Sequence, residues 1–525
     1  MNPQTVNKGQ MDNLKHPSQA TEIALNKPMR TLVLAVSIAT LSACQSFTQI
    51  ENPSAQVDLD RTYLSDQANA ETLNYRTYFT DPKLVAVIDQ ALSDNRSLKS
   101  AVAAVSEVQA RYDIAKISNL PTLALSSQYS RTGDYGGDPQ TITDVVQDVF
   151  PTPNQYSAQL ALSAYEIDFW GRVKNLKDQA LSLFLSTNFA KESAQVSIIS
   201  QTAQTWVSYS YALAQVRLAE QTLDNQINAL DLNRKRLNAG IDSELSVVQA
   251  QTQVENARLS LDQALTQVKQ TQNALELLAG GKVDPSLLPP AAIDRITRKR
   301  GATPISSEVL LLRPDVRQSE FELLAAGANI GVARGAYYPS VTLFGSTGTA
   351  TTQADKLFTA PTLSWTLGSS VNLPLFDFGR RKANLKVAKA QATQTLYNYE
   401  QTILTALREV GDVVAFDERI ESRLNSQSRL VAAADRSLEL SDLRFRAGLD
   451  SYLNVLDAQR FLFQSRQSAL RLKQQALTNE IVMFQALGGN DGVVDFRPER
   501  VERSFGPAGD PDRSAIKDFF GNLFS

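Results

Sequence analysis

Long stretches of this chain occur twice. Gly171-Arg172-Val173-Lys174 returns as Gly379-Arg380-Arg381-Lys382, and Arg236-Leu237-Asn238-Ala239-Gly240 returns as Arg444-Phe445-Arg446-Ala447-Gly448. Leu245, Val248, Ala250 and Gln251 match Leu453, Leu456, Ala458 and Gln459, and Gly280-Gly281 matches Gly488-Gly489. Every pair lies 208 positions apart, as 379 does from 171. One such match arises by chance. A constant offset held over more than about 100 residues marks a duplicated structural unit. Whatever the chain folds into must be built twice.

Each unit reads in the same order. A helix is expected first, over roughly Pro82–Ser118 in one copy and Arg313–Ala336 in the other. A turn follows at Leu120-Pro121-Thr122 or Tyr338-Pro339-Ser340. Next come alternating stretches. Leu363, Trp365, Leu367, Val371 and Leu373 alternate with small or polar residues, as do Tyr156, Ala158, Leu160, Leu162 and Ala164 in the first copy. This period of two predicts strands with one apolar face. Shorter runs after Pro121 and Pro339 supply partner strands, joined through loops at Gly133–Asn154 and Gly348–Ala360.

Very long helices complete each unit. No Pro occurs between Pro153 and Pro285, or between Pro374 and Pro498. Arg172 to Asn238 also lacks Gly, a run of 67 residues. As a helix this measures roughly 100 Å at about 1.5 Å per residue. Val216, Leu223, Leu230 and Leu237 are spaced by seven, as are Leu424, Val431, Leu438 and Phe445, which predicts coiled-coil packing. Ala239-Gly240-Ile241-Asp242 and Ala447-Gly448-Leu449-Asp450 break the helices. Gly suits a left-handed position there, and the Asp or following Ser suits a new N-cap. The chain then reverses into Glu244–Ala279 or Ser451–Leu487.

Four strands per chain are too few to close a barrel, for which about eight is the practical minimum. Left open in lipid, they would expose unpaired edges. The architecture therefore implies that several chains contribute to one barrel.

The N-terminus reads as a targeting segment. Arg30 precedes an apolar stretch, Thr31–Leu41, too short to span a bilayer and suited to a signal sequence. It ends in Leu41-Ser42-Ala43-Cys44, which resembles the bacterial lipobox, whose Cys receives lipid. A buried free Cys after an apolar run is the plainer alternative. Gln45, rather than Asp, favours the outer membrane. Met1, Met11 and Met29 all remain open as the start.

Composition narrows the chemistry. His16 is the only His and Cys44 the only Cys. Cleavage before Cys44 leaves no His-based triad, no Cys/His zinc site and no internal disulfide. The net charge of −3 offers no basic excess to nucleic acid. Only Met483 would remain among the methionines, which argues against methionine-based copper or silver export. No catalytic, metal or cofactor site is expected beyond the covalent lipid on Cys44.

The chain resembles the TolC-like outer-membrane efflux proteins, in particular their lipoprotein branch. Phe79-Thr80-Asp81-Pro82-Lys83-Leu84, Ala91-Leu92-Ser93-Asp94-Asn95, Leu311-Leu312-Arg313-Pro314-Asp315-Val316-Arg317 and Ile330-Gly331-Val332-Ala333-Arg334 carry the resemblance. Phe376-Asp377-Phe378-Gly379-Arg380 and Val455-Leu456-Asp457-Ala458-Gln459 add to it. It implies a mainly α chain with a small β part. Three copies would form a twelve-stranded barrel in the outer membrane above a long helical barrel in the periplasm. An inner-membrane pump and a periplasmic adaptor would be partners. On this reading residues 1–43 are the signal segment and 44–80 a lipidated linker. Residues 81–281 and 313–489 are the repeats, 282–312 an equatorial linker and 490–525 an equatorial tail.

Several residues carry two readings. Gly171-Arg172 and Gly379-Arg380 form either a ligand site or, preferably, the corners where strand becomes helix. Ala239, Gly240, Ile241, Ala447, Gly448 and Leu449 are helix caps, and the resemblance makes them adaptor-docking tips. Tyr129, Tyr156, Trp170, Tyr337, Tyr338 and Trp365 form a binding patch or an interfacial aromatic belt, the latter preferred. Arg298-Lys299-Arg300 reads as solvated surface, and Phe519, Phe520, Leu523 and Phe524 as a tail docked on its own helices. The resemblance places Asp457 at a periplasmic gate, where three carboxylates attract cations and respond to pH. The plainer alternative is a solvated helix face. Asn454 stands where some relatives carry a second acid, and Gln249 stands at the 208 offset.

The favoured function is a passive exit duct for small molecules. A duct for protein secretion and a non-conducting periplasmic scaffold are the rivals, with a carboxylate-based hydrolase more remote. Cys44→Ser is expected to abolish incorporation of a clickable fatty acid and leave a longer precursor. Unchanged labelling and mobility would remove the lipid anchor.

Overall fold

A computed structural model describes residues 73–118, 120–131, 154–297, 310–359 and 362–489. The signal segment, Cys44, most of the linker to residue 80, Gly133–Pro153, Arg298-Lys299-Arg300 and the tail 490–525 lie outside the described residues. Helices α1 (Tyr75–Tyr78), α2 (Pro82–Asp94) and α3 (Arg96–Ile117) lead into strands β1 (Leu123–Ser130) and β2 (Gln155–Ile167). Helices α4 (Arg172–Asn238) and α5 (Glu244–Leu278) follow. The second copy comprises α6 (Pro314–Gly335), β3 (Ser340–Thr351), β4 (Leu363–Asn372), α7 (Arg380–Arg446) and α8 (Tyr452–Ala486).

Helices α4 and α7 each run 67 residues, and α5 and α8 each run 35. Helix α4 fills the run free of Gly and Pro. No helix among the described residues is long and apolar enough to cross a membrane.

The expected single helix over Pro82–Ser118 is two helices. Asn95 adopts φ −57° and ψ 127°, outside the helical region. Its Oδ1 accepts from the amides of Ser97 and Leu98 at 2.9 and 3.1 Å, so the side chain replaces the helical carbonyls. Its Nδ2 donates to Leu278 O at 2.8 Å. Gly280, at φ +74°, closes this joint, since a Cβ there would lie 2.4 Å from Asp94 O.

The second repeat solves the same joint with a charge. Arg313, at the start of α6, donates from Nη1 to Ala486 O at 3.0 Å, and Ala486 is 208 positions beyond Leu278. The guanidinium also pairs with Asp315 at 2.8 Å and Glu409 at 2.7 Å, which compensates its burial. Gly488, at φ +67°, takes the place of Gly280 against Arg313.

The four strands form one antiparallel sheet in the order β1-β2-β3-β4. Leu123 pairs with Leu162, Leu125 with Leu160, and Val341 with Val371, so the apolar residues share a face. Two details differ from the expected pattern. A bulge between Leu162 and Tyr165 shifts the alternation, so Tyr165 rather than Ala164 continues the face of Leu162. Strand β3 also runs through Gly348 to Thr351 rather than ending before a loop. Gly348 allows this, because a Cβ there would lie 2.5 Å from Ala158 O.

The main core forms midway along α4. Trp206, Tyr211, Tyr75, Leu84, Ile88 and Phe484 are buried together. Each contributes on the order of 1.5–3 kcal/mol by apolar burial. Three side chains of α4 hold the segment after α5: Trp206 Nε1 donates to Leu287 O at 3.0 Å, Tyr211 OH to Ile293 O at 2.9 Å, and Ser210 Oγ to Pro290 O at 2.6 Å. The tyrosine and tryptophan thus bury their rings and still satisfy their polar atoms.

Candidate functional site

The long helices separate two regions by most of their length: the sheet with its corners, and the tips. At the corners Gly171 and Gly379 hold φ +72° and +88°, a left-handed conformation that L side chains resist. Asp168 then accepts from the Lys174 amide at 2.7 Å, and Asp377 from the amides of Gly379 and Arg381, both at 3.0 Å. Each carboxylate satisfies donors at a positive helix end.

The two corner arginines are not equivalent. Arg172 forms an ion pair with Glu166 at the end of β2. Pro374 occupies the position 208 beyond Glu166, so Arg380 lacks that carboxylate and is exposed. Arg381 takes over instead. It pairs with Asp377 at 2.7 Å and lies 5.5 Å above the Tyr337 ring. Matching by offset alone missed this exchange.

Aromatic side chains stand at both ends of the sheet. Tyr129 and Tyr156 lie 4.9 Å apart near the loops, and Trp170 stacks on Tyr338 at 4.8 Å near the helices. Between them Leu125, Trp365 and Leu367 point outward, with Trp365 78% exposed.

The tips carry one design twice. Gly240 and Gly448 hold φ +72° and +73°. The Ile241 amide returns to Arg236 O at 3.0 Å and the Leu449 amide to Arg444 O at 2.9 Å, closing the helix ends. The six predicted tip residues are all exposed, Ile241 and Leu449 prominently. Behind each tip an arginine clips the turn: Arg236 pairs with Asp242 at 3.2 Å, and Arg444 pairs with Asp450. Asp242 also accepts from Ser243 N and Ser246 Oγ, which ties the turn to the start of the new helix, while Ser243 holds the N-cap position without a side-chain capping bond.

Sequence reasoning missed how the tips join. The Arg236 guanidinium lies 4.5 Å above the Phe445 ring, and Phe445 lies 5.2 Å from Tyr452. Gln226 Nε2 donates to Gln459 Oε1 at 3.1 Å across the two hairpins. The groove between the hairpins encloses about 470 Å³. The buried Tyr452 hydroxyl lies beside Asn233 there without completing a hydrogen bond.

Asp457 and Asn454 share an exposed face of α8. Arg460 approaches the Asp457 carboxylate at 3.8 Å, a neighbour that the motif did not reveal. Gln249 is half-buried in α5.

The fold and these ends define an outer-membrane efflux protein. The model of the outer membrane efflux protein family matches residues 87–281 and 305–489, once for each repeat, and the chain belongs to that family. The probable outer membrane lipoprotein SilC of Salmonella typhimurium is 31% identical over 477 residues, covering 87% of this chain and 98% of SilC. The toluene efflux pump outer membrane protein TtgC of Pseudomonas putida is 33% identical over 466 residues, covering 87% and 95%. The cation efflux system protein CusC of Escherichia coli is 32% identical over 472 residues, covering 88% and 99%. A crystal structure of CusC matches this fold with a TM-score of 0.74, covering 84% of this chain and 100% of that one at 31% identity.

The tip carboxylates set a pH dependence. Burial raises the Asp242 pKa, but hydrogen bonds from Ser246, Ser243 and Arg236 outweigh it and hold it below the ordinary 3.8. The Arg444 hydrogen bond lowers Asp450 likewise. Depressed carboxyls contribute stability at neutral pH and lose it as pH falls through their folded values. Amide exchange at Ile241 and Leu449, corrected for intrinsic rate, is expected to rise several-fold from about pH 6 to about pH 3. Asp242→Asn with Asp450→Asn should flatten that response; a wild-type response already flat would overturn the clip.

Proposed function

We propose that three copies of the chain form a passive exit duct for small molecules. Their twelve strands close a barrel in the outer membrane, and their hairpins extend into the periplasm. The observation that carries this reading is the four-stranded sheet with two open edges, mounted on hairpins roughly 100 Å long. An isolated sheet of this size leaves edges that hydrocarbon cannot solvate. The exposed leucines and Trp365 suit lipid, and the aromatic groups at either end suit its two interfaces. Lipid on Cys44 adds a second anchor.

Energy comes from an inner-membrane pump, reached through a periplasmic adaptor docked on the tips. The exposed Ile241 and Leu449 give that adaptor an apolar foothold on a rigid turn. The substrate is set upstream. Relatives named for toluene and for cations match this chain at 33% and 32% identity, so overall likeness does not choose between them.

The narrowest point lies at the converging tips, where Asp457 from each copy faces the pore. Arg460 offsets part of that charge. Native mass spectrometry in detergent is expected to give a trimer, and planar bilayers a cation-selective conductance. A stable folded monomer would overturn the duct. Asp457→Ala should lower cation selectivity and weaken block by multivalent cations, with Gln249→Ala much milder. Unchanged selectivity in Asp457→Ala would remove the gate and leave the duct.

A further inference from the structure

Helices α7 and α8 form a second groove, on the opposite side of the pair from the groove at the tips. The tip groove takes Val455, Leu462 and Arg466 of α8. The second takes Ser468, Arg471 and Gln475, which lie half a turn round that helix at about 100° per residue. Steps of three and four along one face lead from Arg471 back through Ser468, Gln464 and Phe461 to Asp457. The second groove therefore opens on the side of Asp457, roughly 20 Å farther from the tip at about 1.5 Å per residue.

This groove encloses about 500 Å³, and its lining holds two guanidiniums and no carboxylate. Arg436, Arg444, Arg446, Arg460 and Arg466 of the same helices each pair with an acid. Arg423 and Arg471, which line the groove, have no carboxylate within ion-pair distance among the described residues. They are held in other ways. The Arg423 guanidinium lies 5.3 Å from the centre of the Phe416 ring. Arg471 Nη2 donates to Ser468 Oγ at 3.4 Å, and Arg429 Nη2 donates to Ser426 Oγ at 3.1 Å. Each of these hydroxyls accepts from a guanidinium and keeps its own proton for another acceptor. Leu430 and Leu472 line the same space and give it an apolar part. Asp435, Glu439 and Asp442 of α7 line the tip groove instead.

We infer that this groove is a binding site for organic anions, which a molecule meets in the pore once it has passed Asp457. The placement in the pore rests on the duct reading above; the site itself lies within one chain. Guanidiniums and hydroxyls bind the oxygens of a carboxylate, phosphate or sulfonate, and the leucines take an apolar portion. The volume falls within the range of about 300–1,000 Å³ typical of small-molecule pockets. Both arginines are exposed, so binding stays weak enough for release, as conduction requires. The scaffold does not demand these charges, because Gln215 and Gln263 stand 208 positions before Arg423 and Arg471. The second hairpin thus presents an acid and then two arginines along a path where the first carries Gln249, Gln263 and Gln215.

Cysteine protection in the purified full-length protein tests this. Ser468→Cys places a thiol in the groove, and N-ethylmaleimide, being neutral, reports access to it. Gln475→Cys repeats the measurement with Ser468 intact, and the parent protein measures any labelling at Cys44. At constant ionic strength benzoate is expected to slow alkylation several-fold, inorganic phosphate less, and benzyl alcohol not at all. Arg423→Gln with Arg471→Gln should remove the benzoate effect, whereas Asp457→Ala should keep it. No protection by benzoate, or protection that survives the double Gln variant, would overturn the site. Equal protection by benzyl alcohol would overturn the role of charge, and equal protection by phosphate would overturn the organic ligand. In planar bilayers benzoate should lower the conductance of the wild type and not of the double Gln variant. Unchanged conductance with protection intact would overturn the placement in the pore. A monomer by native mass spectrometry with protection intact would remove the duct reading and leave the site.

Discussion

An unpaired backbone N–H or C=O in hydrocarbon costs several kcal/mol, because no water is present to replace the lost partner. The sheet of this protein has two outer strands, and each carries a row of such groups. Nothing among the described residues covers them. The helices do not help, since they leave the strands at Gly171 and Gly379 and run away from the sheet. The cheapest remedy is more of the same sheet. This constraint explains why a chain with four strands carries hairpins made to pack side by side.

Duplication then supplies the same solution repeatedly, with local variation where burial differs. Asn95 and Arg313 stand at equivalent helix starts and donate to equivalent carbonyls, Leu278 O and Ala486 O. The amide needs no counter-ion. The guanidinium does, and Asp315 and Glu409 provide it. An Arg without those acids would be an uncompensated buried charge, which is costlier than the joint is worth. The corner arginines show the same logic. Losing the Glu166 position to Pro374 moves the ion pair from Arg380 to Arg381 rather than abolishing it.

Much of this fold was legible because its signals are backbone signals. The long helices follow from missing Pro and Gly, and their ends from Gly240 and Gly448. What escaped depends on side chains choosing partners. Asn95 looked like one more polar residue on a helix, yet its carboxamide breaks the helix because Leu278 O and two amides are all within reach. The bulge after Leu162 adds one residue to a strand whose composition continues unchanged. At the tips the reversal was readable, but the stacking of Arg236 on Phe445 joins residues over 200 positions apart. The repeat could have hinted at the clips, since Arg236–Asp242 and Arg444–Asp450 share one spacing and one offset.

That cross-hairpin contact changes how the tips must be regarded. Arg236 binds Asp242 of its own turn and the ring of Phe445 in the other hairpin. The Asp450 clip lacks such a bridge: Arg444 is largely exposed where Arg236 is not. The Arg236–Phe445 contact ties the two tips to each other, and the clips behind them differ in exposure. The repeats also differ in charge near the tips. Gln249 sits half-buried on the first hairpin, while Asp457 stands exposed on the second beside Arg460. A duplicated scaffold gives both hairpins the same length and the same turn. Unequal clips and unequal charge then distinguish the two hairpins of one copy.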